Sequence, residues 1–395
     1  MTLRAQLPAR SPLPARAIAA GVGALLLGGR KARARVHARI MSIYRPLDIA
    51  LTDSGTSALA LALFLASGRR PGRPVLLPAW GCFDLATAAE GANVPVMLYD
   101  LDPKTLGPDW ESLERALALD PAAVVAVHYY GLPVDLDQLS SMAERAGVPL
   151  ISDAAQGAGA ELGGRPLGAW GDMAVLSFGR GKGMTGGRGG ALLAHEDDWA
   201  DAVEGLTLSK PLGGPVELAT LAAQWLLARP AIYAIPSNLP WLRLGETIYH
   251  PPHRAEGLSA VAAGVLTTTI DLAEREAQVR RRNAAFLGER LAGSRLGVVR
   301  AAPGTDPGWL RLPVRLESGT AEAVEVDRTA RGLGIYRSYP KPLNELPGMA
   351  ARISPNNDLF PGAKELVDRL VTLPTHSAVG QADLERIIVW GRSGF

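Results

Sequence analysis

Cysteine is almost missing from this chain: of 395 residues only Cys82 carries a thiol, so no internal disulfide can form. That excludes a stapled secreted scaffold and makes a reducing compartment, the cytoplasm, the expectation. Net charge is nearly missing too. With 41 Lys and Arg against 39 Asp and Glu the formal balance is +2, which supplies no bulk attraction to nucleic acid. The N-terminal apolar run, residues 17–29 (AIAAGVGALLLGG), is too short to span a bilayer. Arg10, Arg16, Arg30, Lys31, Arg33 and Arg35 flank it, and arginines stand where a secretory signal would place a small-residue cleavage site. A helix packed on the rest of the protein is expected there. Lysine is scarce as well, six residues against thirty-five arginines. What remains is 47% hydrophobic and 20% charged, a folded globular make-up that excludes a disordered or collagen-like chain. The length suggests two or three structural units.

From about residue 50 to 195, short apolar runs alternate with amphipathic stretches. Residues 75–77, 95–99, 123–128 and 148–152 read as strands, and 84–90, 109–119 and 135–146 as helices. Continuous apolar strands separated by helices of about ten residues indicate βαβ units and a parallel sheet covered on both faces. Ligands in such sheets sit beyond the carboxyl ends of the strands. Residues 173–178 and 190–194 then bracket a glycine-rich loop. An apolar insert punctuated by Pro211, Pro215, Pro230, Pro236 and Pro240 occupies 211–249. A long helix is expected over 258–291, then a strand at 312–316, a helix over 320–332 and a terminal helix from about Gln381. The expected architecture is α/β: a helical arm (1–45), a large domain with a mostly parallel central sheet (46–255) and a smaller C-terminal α+β domain (256–395).

The segment Ser177-Phe178-Gly179-Arg180-Gly181-Lys182-Gly183 carries the strongest chemical signal. A composition that avoids lysine keeps one inside a glycine-rich loop after a strand. A lysine amine can lose its proton and attack a carbonyl, which arginine cannot do. An ordinary surface lysine reads the same way in isolation. A phosphate-binding P-loop does not fit, since Gly183 stands where Ser or Thr is required. Asp153 ends the buried strand VPLIS, at the rim where ligands bind; it serves either as a helix N-cap or as the partner of a buried cation. Asp53-Ser54-Gly55-Thr56-Ser57 opens the helical run ALALALFLA, so its backbone N–H groups can hold a phosphate. Ordinary N-capping explains the same letters. Together the three supply a nucleophilic amine, a carboxylate and a phosphate cradle.

On the segments SGTSALALAL, PAWGCFDLATAAEGANVPVMLYDLDP, HYYGLPVDLDQL, LISDAAQGAGA, GDMAVLSFGRGKGMTGGRGGALL and PGAKELVDRLVTLPTHSAVGQADLERI, the chain resembles the DegT/StrS-type sugar aminotransferases from about residue 45 to 390. The resemblance implies the PLP-dependent transferase type I fold, that of aspartate aminotransferase, with pyridoxal 5'-phosphate as cofactor. It implies that Lys182 is the catalytic amine and holds the cofactor, that Asp153 pairs with its ring nitrogen, and that Gln156 reaches its ring hydroxyl. Gly55, Thr56, Ser57 and Ser177 would form the phosphate cup, and Cys82 would sit where relatives stack an aromatic ring. The implied reaction moves an amino group, from L-glutamate, to a keto group of a nucleotide-linked sugar, for polysaccharide, glycoconjugate or antibiotic biosynthesis. A homodimer is implied, with no nucleic-acid partner.

Three departures bear on the substrate. Cys82, between Trp80 and Phe83, replaces the stacking ring; Arg188 in Gly187-Arg188-Gly189-Gly190 replaces a common acid; and 254–259 (RAEGLS) displaces the family's NYRMSE arginine. Alternative readings are amination of a non-nucleotide ketone such as a cyclitol, a dehydratase, against which Lys182 itself argues, and a regulatory protein that keeps the fold without the chemistry. His250 and His253 (HPPH) lack a third ligand at metal-site spacing, so no metal is expected. The 211–249 insert can meet lipid or a subunit face, the latter being the default. The 336–343 segment (YRSYPKPL) lines the substrate pocket or packs as a plain loop.

Overall fold

A computed structural model describes residues 5–211, 213–237, 247–353 and 359–393. Leu212 and residues 238–246 of the insert, Pro240 among them, lie outside the described residues. The chain starts with two helices, Ala15–Leu26 and Arg30–Tyr44, hinged at Gly28-Gly29, where both glycines take positive φ. The first lies along helix Ala260–Thr269: Gly264 approaches Ala20 and Ala24 so closely that any Cβ would collide. The N-terminal run is therefore a packed helix, as expected from its letters.

The strands are, in chain order, β1 (Asp48–Thr52), β2 (Val75–Pro78), β3 (Val96–Tyr99), β4 (Ala123–Val127), β5 (Leu150–Asp153), β6 (Glu161–Leu162), β7 (Arg165–Pro166), β8 (Met173–Ser177) and β9 (Gly190–Ala194). Seven of them form one sheet in the order β1-β9-β8-β5-β4-β2-β3. Only β9 runs against the rest. Continuous apolar strands work here because each buries both faces: Leu77, Val125, Ile151 and Val175 enter one core, while Leu76, Val124, Leu150 and Ala174 enter the other. Because β1, β2, β4, β5 and β8 share a direction, residues 53–57, 79–84, 128–130, 153–156 and 177–182 all emerge on one rim.

The C-terminal part adds β10 (Leu296–Val298), β11 (Thr305–Asp306), β12 (Leu312–Leu316), β13 (Tyr336–Arg337) and β14 (Leu370–Leu373). Four of these form an antiparallel sheet, β10-β12-β14-β13, around a third core. Strand β11 instead extends the β6–β7 hairpin. The expected single helix over 258–291 is broken at Ile270–Leu272, giving Ala260–Thr269 and Ala273–Leu291. Thr267, before the break, donates its hydroxyl to the Gly264 carbonyl of its own helix, a competition that bends helices, and Thr269 is tied outside the helix to the Thr185 carbonyl. Likewise the helix expected over 320–332 splits at Asp327, which caps its second half by accepting the Thr329 N–H at 2.8 Å. By packing, Ala260–Thr269 sides with the large sheet, and the C-terminal core begins at Ala284 on the following helix.

Candidate active site

The rim is assembled by close approaches that only small residues allow. Helix Gly55–Arg69 is capped by Ser54, whose side chain accepts the Ser57 N–H at 3.0 Å. A Cβ on Gly55 would sit 2.6 Å from Ser177 Cβ, so glycine is what lets the helix N-terminus press against the end of β8. The loop that follows β8 is cross-tied. Thr185 donates its hydroxyl to the carbonyls of Phe178 (3.1 Å) and Gly179 (3.2 Å) and accepts the Gly187 N–H at 2.9 Å. From the N-terminal segment, Ser11 accepts the Gly181 N–H at 2.9 Å and donates to the Lys182 carbonyl at 3.0 Å. Lys182 is thus held through its backbone on both sides while its side chain enters the cavity.

That cavity is lined by Gly55, Thr56, Cys82, Asp153, Gln156, Ser177 and Lys182, joined by His128 and Asp84. Seven of the eight expected site residues meet there. Ser57 is the exception: it is buried behind the cup, its hydroxyl 2.9 Å from Ser54 Oγ and 3.5 Å from His253 Nε2. Asp153 Oδ1 accepts the Ala155 N–H at 3.0 Å. Burial pushes the Asp153 carboxyl above the usual carboxylate range; the Ala155 N–H and the Lys182 charge pull the other way without overcoming it. A buried carboxylate so poised gains from a cation placed against it. Gln156 accepts the Tyr130 N–H (3.2 Å) and donates to Tyr339 OH (3.0 Å), which leaves one amide N–H for a ligand. Tyr339 stacks on Tyr130 and meets Trp80 edge-on, so 336–343 does border the site.

His128 escaped the sequence reading, although its place directly after β4, on the ligand rim, was the signal. Its Nδ1 accepts the Val134 N–H at 3.3 Å, leaving Nε2 to donate to Ser152 Oγ at 3.0 Å. Burial drives its pKa down to about 3, so the cavity wall holds a neutral imidazole. Cys82 brings no ring: its thiol donates to Asp84 Oδ2 at 3.4 Å, and burial and the Asp84 charge push its pKa up. Neither neighbouring ring replaces it in the cavity wall; Trp80 is turned into the core with its Nε1–H on the Tyr339 carbonyl.

The other two departures prove to be one network. Buried Asp53 accepts from Arg188 Nη2 at 3.0 Å, from His253 Nε2 at 2.8 Å and from the Glu256 N–H at 3.2 Å. Burial alone would raise the Asp53 pKa; the bonds from His253, Ser57 and Glu256 outweigh it and lower it. The cation in Gly187-Arg188 therefore neutralises the acid that precedes the cup. His253 anchors Asp53 through Nε2, while Arg254 is exposed. Among the described residues, no three His, Cys, Asp or Glu side chains gather as a metal site.

An amine, a buried carboxylate across the cavity and a helix N-terminus cleared by Gly55 fit pyridoxal phosphate: an aldehyde, a basic ring nitrogen and a phosphate find one partner each. The comparisons agree. The sequence profile of the DegT/DnrJ/EryC1/StrS aminotransferase family matches residues 47–210 and 256–390. An L-glutamine:2-deoxy-scyllo-inosose aminotransferase of Micromonospora echinospora is 30% identical over 363 residues, 85% of this chain and 80% of the relative. A dTDP-3-amino-3,4,6-trideoxy-alpha-D-glucose transaminase of Streptomyces venezuelae is 30% identical over 352 residues, with 85% and 80% covered. In fold, the chain is similar to AtS13 of Actinomadura melliaura, with TM-score 0.76, 23% identity and 99% of each chain covered. A DegT DnrJ EryC1 StrS aminotransferase of Brucella abortus gives TM-score 0.74 at 22% identity, covering 95% and 94%. On sequence, on fold and on the chemistry of its rim, the chain belongs to the DegT/DnrJ/EryC1/StrS aminotransferase family and is a pyridoxal-phosphate-dependent transaminase.

Proposed function

We propose that the acceptor is the keto group of a nucleotide-linked sugar and the donor L-glutamate or L-glutamine. The observation that carries this reading is a set of guanidinium groups on segments next to the cavity wall that, among the described residues, have no carboxylate partner. Arg311 lies within electrostatic reach of Tyr130, Tyr339 and His376, the tyrosines being those that hold Gln156. Arg10 reaches Ser377 by Nη1 at 2.8 Å and buries an Nε without a partner. Arg180 stands exposed two residues before Lys182. A donor carboxylate accounts for one guanidinium; a diphosphate accounts for the others.

Pyridoxal phosphate, when bound, supplies the aldehyde that takes up the amino group and a ring that withdraws electrons. The roles of this chain's residues follow from their places. Asp153 would hold a proton on the ring nitrogen, and burial would make that contact strong. Thr56, Ser177 and the helix N-terminus bind the phosphate, with Asp53, Arg188 and His253 bracing the cup from behind. Lys182 Nζ carries the proton to and from the substrate carbon. Donor and acceptor would enter one site beside Lys182 in turn, so ping-pong kinetics are expected. A homodimer fits the implied family assembly.

A second reading is amination of a cyclitol ketone, favoured by the inosose aminotransferases among the relatives. The deciding experiment is a coupled assay over keto-sugar nucleotides and inososes, with wild type and Arg311→Gln. Turnover of a keto-sugar nucleotide, with KM raised roughly tenfold by loss of a charge-assisted bond in the variant, supports the first reading. Turnover of inososes alone, indifferent to Arg311, establishes the second.

A further inference from the structure

Apart from the last five residues, two parts of the chain lie outside the family match, the first 46 residues and 211–255, and helices of the two pack together. Helix Ala15–Leu26 touches helix Pro215–Leu227, and both rest on Ala260–Thr269 through Ala17, Leu221, Val261 and Val265. Their outward faces are apolar. Val22, Leu26, Leu27, Val216, Leu226 and Ile235 are exposed, and three of these are almost bare, at 79% (Leu26), 83% (Leu27) and 80% (Val216). The ends of the two helices that carry Leu27 and Val216 reach adjacent residues, Ala260 and Ser259. Gly29 abuts Ala260, and Glu217 turns inward to accept the Ser259 hydroxyl at 2.7 Å. The helix pair Pro215–Leu227 and Pro230–Pro236 is bent by 110°, and among the described residues no single helix is long and apolar enough to cross a membrane.

Charge is distributed with equal bias. The first 47 residues contain nine Lys and Arg and no Asp or Glu, so the remaining 348 carry a formal −7. Arg30, Lys31 and Arg35 are exposed on the helix that begins three residues after Leu27, and Arg16 is exposed on the helix before it. We propose that this face, the apolar corner of Leu26, Leu27 and Val216 with its fringe of Arg30, Lys31 and Arg35, seats the enzyme on the surface of an anionic lipid bilayer without crossing it. Apolar side chains enter the headgroup boundary while neighbouring cations meet lipid phosphates. The Arg229 guanidinium over Trp225, at the end of the insert helix, adds an aromatic and a cation suited to the same depth. A second copy of the chain fits less well, because a two-fold contact through this face would set one acid-free basic helix near another. Nucleic acid would answer the cations and leave Leu26 and Leu27 bare.

The test is sedimentation of the holoprotein with vesicles of phosphatidylcholine alone and of phosphatidylcholine with phosphatidylglycerol, at low and high salt. The expected result is several-fold more protein in the pellet with the anionic vesicles, falling as salt screens the charges. Leu26→Asp/Leu27→Asp and Arg30→Glu/Lys31→Glu should each return the protein to the supernatant, with the cofactor absorbance band and transaminase rate of wild type. These exposed positions lie outside the site, so loss of vesicle binding is separable from loss of chemistry. The proposal is overturned if wild type pellets with neither vesicle, or if the leucine variant pellets like wild type. It is equally overturned if wild type ignores vesicles while the leucine variant turns a dimer into monomers by light scattering, which makes the face a subunit contact.

Discussion

The Lys182 rim and residues 211–255, the stretch between the two family-matched parts that holds the 211–249 insert, are built on opposite terms. The rim comes from segments the family shares, and its frame is cross-tied by hydrogen bonds through Ser54, Asp153, Gln156 and Thr185. The 211–255 stretch touches the site at few points: His253 on Asp53, and Leu221, buried at 1% exposure, against Gly187. Among the described residues, its helix Pro215–Leu227 packs through the apolar cluster of Leu221, Val261 and Val265 and leaves Val216 and Leu226 exposed. Where chemistry is done, geometry is over-determined by hydrogen bonds; where the chain has been elaborated, apolar packing suffices, since it tolerates changes of shape that a charged cup does not.

Substitutions graded from the centre of the rim outward can break or sharpen that contrast. Lys182→Ala should have the largest effect, a fall in turnover of about 10²–10⁴-fold with loss of the near-visible absorbance of the cofactor-bound enzyme, read by steady-state kinetics and a spectrum. Asp153→Asn should lower kcat by about a hundredfold, since it removes the charge that meets the ring nitrogen. It has an opposite effect on the apoprotein. A carboxyl raised in the folded state contributes stability that is present at low pH and lost as pH rises through its folded value. The apo wild type should therefore melt lower as pH climbs just past the ordinary carboxylate range, and the Asn variant should lack that part of the slope. Melting scans of both apoproteins across that window check the sign.

His253→Ala should be milder, weakening cofactor binding about tenfold, the worth of one hydrogen bond to a charged group. Fluorescence titration of the apoenzyme would measure it, and an unchanged affinity would separate the 211–255 stretch from the cup. Leu221→Ala should touch chemistry least. Truncating a leucine this buried costs about 2–5 kcal/mol of stability, while kcat should stay within about twofold, because no rim hydrogen bond depends on it. A large fall in kcat would mean that the insert shapes the rim more than its contacts suggest.

Much of the site was readable in the letters. Lys182 stood out because the composition avoids lysine, and Asp153 because a carboxylate at the end of a buried strand needs a reason. His128 did not, because a histidine after an apolar strand reads the same in a core as in a cavity wall; only its bonds to Ser152 and Val134 show which it is. Ser57 was placed in the cup by its neighbourhood, yet a helix turns about 100° per residue, and one step beyond Thr56 points it to the buried side. The broken helix at Ile270–Leu272 was hidden for a similar reason: helical periodicity continues through it, while the Thr269 hydroxyl is tied to a carbonyl outside the helix.

Sequence alone determined the elements whose cause is local: apolar strands buried on both faces, the glycine-rich loop around Lys182, the capped helix that opens at Gly55. Tertiary structure decided what depends on distant partners. Arg188, Asp53 and His253 are separated by up to 200 positions, and nothing links them until the fold brings the other two within about 3 Å of Asp53, where burial removes the water that would screen one charge from the next. The outward face of Leu26, Leu27 and Val216 likewise belongs to no single segment, since apolar side chains declare themselves as core or surface only when the rest of the molecule has taken its place.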